Sequence, residues 1–139
     1  KRNTMKYATL REKISAEKNE RAARYAQFRA LFDRAWGDGA RAAANVVPPA
    51  MHVYQGGVLV AVEKEGPCGF AWVRVRGAGL SFGRWLVKQG LARKAYGGGL
   101  DIWIGDYGQS VARKESHARA MAETLRAGGI DCYSGSRLD

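Results

Sequence analysis

Residues Cys68 to Arg76 read C-G-F-A-W-V-R-V-R. Side chains along a strand alternate between its two faces. This run therefore sets Ala71, Val73 and Val75 on one face and Phe70, Trp72, Arg74 and Arg76 on the other. The second set interleaves rings with cations. Rings on a flat sheet stack bases and neighbouring cations meet phosphates, which is the chemistry of single-stranded nucleic-acid recognition. The same rings would also serve as a second core beneath a covering helix. The alternation by itself leaves both roles open.

A second run, Leu100 to Ile104, alternates in the same way and places Trp103 and Asp101 opposite its aliphatic residues. Lys94 joins Trp103 on that face if the loop between the two strands holds an even number of residues. The candidate nucleic-acid contacts are thus Phe70, Trp72 and Trp103 for stacking, and Arg74, Arg76 and Lys94 for phosphates.

Catalytic and metal chemistry find little support. Arg113 and His117 are four residues apart on one helix face. Neighbouring positive charge makes such a histidine a poor general base, so it reads as a surface helix residue. His52 is isolated in a short strand, and Asp101, Asp106 and Asp131 are scattered. The chain has no H-x-x-x-H, no paired acids and no nucleophile elbow. Gly105 to Ser110 leads into a helix N-terminus, where backbone N–H groups can hold phosphate. It lacks the P-loop spacing and lysine, and a simple N-cap turn at Ser110 accounts for it. No catalytic residue, metal ligand or cofactor is assigned, and an enzyme is the weakest reading.

The elements that would position these residues come from periodicity. Leu10, Ile14, Ala22, Tyr25, Phe28, Phe32 and Trp36 recur at helical spacing, with Thr9 or Ser15 as a start and Gly37-Asp38-Gly39 as the end. Pro48-Pro49 forbids continuation and marks a boundary between an N-terminal helical extension, residues 1–50, and a core, residues 51–139. Short strands are expected at 51–54 and 58–63, around Gly56-Gly57. After the strand at 68–76 and a loop at 77–79, Ser81 caps a short helix over 82–89, which Gly90 and Leu91 end in a Schellman motif. Strands at 91–96 and 100–104, a helix over 110–126 and a last strand at 130–134 complete the chain.

From Cys68 onward the order is β-α-β-β-α-β, a ferredoxin-like α+β arrangement with both helices on one face of the sheet. Its first and third strands are central neighbours, so Trp72 and Trp103 should lie side by side, with Tyr133 on the same face. The topology resembles RNA-recognition modules without their sequence signatures. The two-helix side is already filled in this arrangement. The aromatic stripe of the N-terminal helix is therefore expected to cover the Trp72 face.

Composition bounds the partners. The chain has 139 residues and a net charge of +10. Residues 1–50 contribute +6 and residues 66–139 contribute +5, so the positive charge is not confined to a tail. Such a balance suits nucleic acid or an acidic protein surface. No apolar run approaches the roughly 20 residues that span a bilayer, and no membrane partner is expected. Cys68 and Cys132 form no disulfide framework or zinc pattern. With a polar N-terminus and no export signal, both are expected to be reduced.

The motifs G-P-C-G-F-A-W-V, F-G-R-W-L, Y-G-G-G-L-D-I-W-I, Q-S-V-A-R-K-E-S-H-A-R-A-M-A and G-I-D-C-Y-S-G-S-R-L-D, in this order, span residues 66–139. That stretch resembles small uncharacterised proteins encoded by tailed bacteriophages. The resemblance implies a setting in the cytoplasm of an infected bacterium or in the virion, and it transfers no catalytic residue. The leading expectation is a non-catalytic nucleic-acid-binding accessory protein. The alternative is a protein-binding phage module, a virion component or an inhibitor of a host or defence protein, with its aromatic face buried.

Overall fold

The computed structural model describes residues 2–78 and 80–139, with side chains from Thr9 onward. The fold is α+β, with a long N-terminal helix, two shorter helices and two antiparallel sheets. Helix α1 spans Arg2–Asn45, strand β1 Met51–Gln55, β2 Val58–Glu63 and β3 Gly69–Val75. Helix α2 covers Ser81–Lys88, β4 Arg93–Lys94, β5 Leu100–Trp103, α3 Val111–Ala127 and β6 Cys132–Leu138. The loop expected at 77–79 falls partly outside the described residues, at Gly79.

Two compact units divide within α1, Lys1–Ala30 and Leu31–Asp139, upstream of the proline pair. In the first unit the helix begins before both Thr9 and Ser15, so neither caps its start. Leu10 and Ile14 are exposed there, and the rings of Tyr25 and Phe28 lie 6.4 Å apart.

The second unit holds both sheets. The larger one has the order β4-β5-β3-β6, with β3 antiparallel to both neighbours. Ala71, Val73, Val75, Leu100 and Ile102 are buried on one side of it, and α3 packs on β3 and β6. The smaller sheet is the β1–β2 hairpin, which turns at Gly56-Gly57 with both glycines at positive φ. The whole order therefore differs from a bare β-α-β-β-α-β unit, because a helix and a hairpin precede it.

Three local expectations need correction. First, α1 runs straight through Gly37-Asp38-Gly39 to Asn45. A glycine inside a helix costs about 1 kcal/mol relative to alanine. Here Gly39 permits close approach: a Cβ on it would lie 2.5 Å from the His117 ring. The helix ends where Arg113 Nη1 donates to the Ala43 carbonyl at 2.7 Å, just before the prolines. Second, α2 is capped at Leu80 with no side-chain hydrogen bond, and Ser81 is its first residue. Its other end forms the expected Schellman motif, with Leu91 N–H donating to Leu86 O and Gly90 N–H to Val87 O. Third, β6 reaches Leu138 rather than Ser134, pairing with β3 along its whole length.

The largest correction concerns what α1 covers. Phe32 and Trp36 pack on the helical layer, and toward the sheet they line a cavity with Ile102 and Trp103. Phe32 meets Trp85 of α2 at 6.2 Å, and Trp36 meets His117 of α3 at 4.3 Å. Asp38 accepts a hydrogen bond from Thr124 Oγ1 at 2.6 Å. Gly39 against His117 and Gly128 against Leu31 let the helices approach closely here, which the strand and helix pattern alone did not suggest.

Candidate nucleic-acid interface

The face opposite the helices is built by three registers. Trp72 stands opposite Trp103 of β5 and Gly135 of β6. Arg74 stands between Asp101 and Tyr133, and Phe70 opposite Arg137. β3 alternates fully buried with half-buried residues along its length, so its second face is partly in water. Trp103 is 41 % and Tyr133 38 % exposed.

The rings form a cluster. Trp72 and Trp103 centroids are 5.2 Å apart and tilted by 50°. Phe70 sets its ring at 87° to Trp103 at 6.4 Å. Trp72 lies against Gly135: a Cβ there would be 2.6 Å from the indole. Gly135 thus makes room for the indole to lie on the backbone of β6.

The cations divide into engaged and peripheral. Arg74 makes a bidentate pair with Asp101, Nε to Oδ1 at 2.7 Å and Nη2 to Oδ2 at 2.9 Å. Asp101 is buried at the foot of this pair. The hydrogen bonds to Asp101 hold the Arg74 guanidinium well above its ordinary pKa, against the opposing effect of burial. Arg74 is therefore a neutralised structural partner rather than the free phosphate contact the sequence suggested. Arg76 is mostly exposed, with a long 3.9 Å contact to Asp131, and lies 5.0 Å from the Tyr133 centroid.

Lys94 does not reach this face. It pairs with Leu100, a residue of the helix side, because the loop between them holds an odd number of residues. Arg93 stands opposite Asp101 instead. The sequence leaves the role of Arg137 open; its guanidinium lies 5.2 Å from the Phe70 centroid. Alternation along the full length of β6 would have found it, but the strand was ended too early. Lys114 is buried, donating to the Gly69 carbonyl at 3.1 Å beneath Phe70.

The residues weighed for catalysis fall elsewhere. His117 is completely buried, not a surface residue, because α1 lies over it. Its Nδ1 is 2.7 Å from the Tyr107 hydroxyl, and its Nε2 has no hydrogen-bond partner among the described residues. Burial pushes its pKa below the ordinary value, with Asp106 opposing. Arg113 pairs with Glu65 at 2.6 Å. Ser110 caps α3, accepting from Arg113 N–H and donating to the Glu65 carbonyl at 2.8 Å. His52 is exposed. Among the described residues no cluster of His, Cys, Asp or Glu could hold a metal, and no helix is long and apolar enough to cross a membrane. Both cysteines are free thiols, Cys68 exposed and Cys132 buried.

Comparison with known proteins finds no matching family, no matching curated relative and no matching solved structure.

Proposed function

We propose that this chain is a non-catalytic nucleic-acid-binding protein, with single strands favoured, of a bacteriophage accessory type. The order β4-β5-β3-β6, with a helix in each crossover, supports the finer reading of residues 69–138 as a ferredoxin-like core. One observation carries the functional reading. Two tryptophans sit in register on adjacent central strands, Trp72 partly covered and Trp103 exposed, on a sheet face that also carries Arg76, Arg93 and Arg137. Base stacking needs such rings, and a basic surround supplies phosphate contacts without sequence demands.

A second reading, an acidic protein as partner, is favoured by the rings' packing on one another, which leaves the arginines as the more accessible part of the face. Titration with single-stranded and duplex DNA and RNA at several salt concentrations separates the two. Trp103→Ala is expected to weaken single-strand binding by about 1–3 kcal/mol. Arg137→Ala is expected to reduce the salt slope by about one phosphate contact. Gly135→Ala is expected to lift the Trp72 indole and lower single-strand affinity while leaving the salt slope unchanged. No binding by the wild type at about 50 mM salt, where phosphate contacts are strong, removes the nucleic-acid reading and leaves the acidic protein.

A further inference from the structure

The β1–β2 hairpin is unlike the rest of the molecule. Every residue of β2 is exposed, and of β1 only Met51 is partly covered. Val53, Tyr54, Val58, Leu59, Val60 and Val62 stand between 38 % and 63 % exposed. An isolated two-stranded hairpin is marginal in water, and three or more strands are needed for independent stability. Its base is nevertheless fixed to the core, through Arg113 to Glu65, Ser110 to the Glu65 carbonyl, and Gly66 against Pro49. The protein thus holds out an apolar ribbon at a defined place.

We propose that β2 pairs with β2 of a second copy of this chain, giving a four-stranded antiparallel sheet across a two-fold axis. Three observations select this occupant. β2 has β1 on one side only, and although the β1–β2 register skips Val60, its other edge carries no lysine, proline or charge from Val58 to Val62 to blunt it. The run Val58-Leu59-Val60-Ala61-Val62 is aliphatic from end to end, so an antiparallel copy meets it with apolar side chains at every cross-strand position. On the outer side of β1, by contrast, Pro48 and Pro49 precede the strand and limit pairing there.

Charge points the same way. The chain carries +10, yet no Asp, Glu, Lys or Arg lies between Met51 and Val62. Two copies repel least at this site, whereas an acidic partner is drawn to the arginines of the other sheet. A lipid surface fits less well. The aliphatic residues run the length of the hairpin rather than gathering at its tip, and no Lys or Arg within 51–62 would anchor it to anionic headgroups. The area is also of the right order. Six side chains of this size leave on the order of 500 Å² in water, a large part of the about 800 Å² per partner that a stable interface buries.

The test is sedimentation of the nuclease-treated full chain from about 1 µM to about 1 mM, the range in which such interfaces equilibrate. It is run at about 500 mM salt, where bridging by nucleic acid is suppressed. The proposal expects a reversible monomer–dimer equilibrium and slower amide exchange across Val58–Val62 as concentration rises. Val60→Lys and, independently, Leu59→Lys should weaken dimerisation at least tenfold with the unfolding midpoint of the monomer unchanged. Val60 is the residue that the β1–β2 register skips, so its replacement breaks no pairing within the chain. A wild type monomeric throughout, including one that instead floats with phosphatidylserine vesicles, overturns the proposal. So does a dimer that both lysine variants leave intact. Failure here leaves the nucleic-acid reading standing, because that reading is tested by titration at low salt on a different sheet.

Discussion

The two sheets of this protein have similar raw material and opposite fates. Each has a strand built on aliphatic residues, Ala71, Val73 and Val75 in β3 and Val58 to Val62 in β2, and both carry a tyrosine or tryptophan beside them. In the four-stranded sheet, Val73, Val75, Leu100 and Ile102 are buried to within a few per cent of completely. In the hairpin, Val58, Val60 and Val62 are exposed. The difference lies in the connection that leaves each strand. β3 and β5 each lead into a helix, and a crossover of this kind, right-handed as a rule, lays its helix back on the sheet. β1 and β2 are joined by a two-glycine turn and have no helix of their own. Aliphatic residues make a strand, and connectivity decides whether the strand has an inside.

The sharpest way to break this comparison is to truncate one leucine on each sheet. Leu100→Ala removes a fully buried side chain and is expected to cost about 2–5 kcal/mol in denaturant unfolding. Leu59→Ala, on the hairpin, should stay within about 0.5 kcal/mol for the monomer. Equal costs would mean the hairpin is part of the core.

A second variant probes the polar side of the larger sheet. Arg74→Ala strands the buried Asp101 carboxylate. Removing one partner of a buried pair costs about 3–5 kcal/mol. Arg74 keeps a quarter of its side chain in water, so about 2–3 kcal/mol is expected. The double variant Arg74→Met with Asp101→Leu should recover most of it, since no charge is then left unpaired. A negligible effect of Arg74→Ala would show that Arg93 or water serves Asp101 equally well.

The helical layer that covers the larger sheet has its own sensitivity. Burial lowers the His117 pKa from the ordinary 6.5. Below about 6.5 the unfolded chain takes up a proton that the native state resists, so the unfolded state then binds more protons. Stability is full above that pH and falls as pH drops toward the lowered native value. Urea midpoints at about pH 7.5 and about pH 5 should differ in this direction, and His117→Gln should flatten the slope. An unchanged midpoint in the wild type would mean that the site accommodates the imidazolium.

The smallest effect distinguishes the two thiols. Cys132 is buried on β6 and its pKa is pushed up to about 11 by that burial, while Cys68 is exposed just before β3. A thiol reagent at neutral pH should modify Cys68 readily in the native protein and Cys132 only on unfolding. Comparable native rates would show that the β6 edge of the sheet opens easily.

Much of the candidate face was legible in the residues. The alternation from Phe70 to Arg76 placed rings and cations on one side, and the β-α-β-β-α-β order placed Trp72 beside Trp103. What failed were counts of one and distances across space. A five-residue loop instead of an even one sent Lys94 to the other face and brought Arg93 in. Ending β6 at Ser134 hid Arg137 and the glycine on which Trp72 rests. Because side chains alternate with a period of two, a single residue of register changes the face, and local propensity does not fix register to that accuracy.

By itself, the sequence determined the elements, the buried side of the larger sheet, the Ser110 cap and the Gly90 stop, because each rests on interactions within a few residues. Tertiary structure alone decided three things. It seated Phe32 and Trp36 on the helices, since Gly39 removes the Cβ that would otherwise strike His117. It spent the charge of Arg74 on Asp101, a partner 27 residues away. It left the hairpin uncovered, because cover comes from a neighbour in space, and no short-range pattern in Met51–Glu63 specifies one.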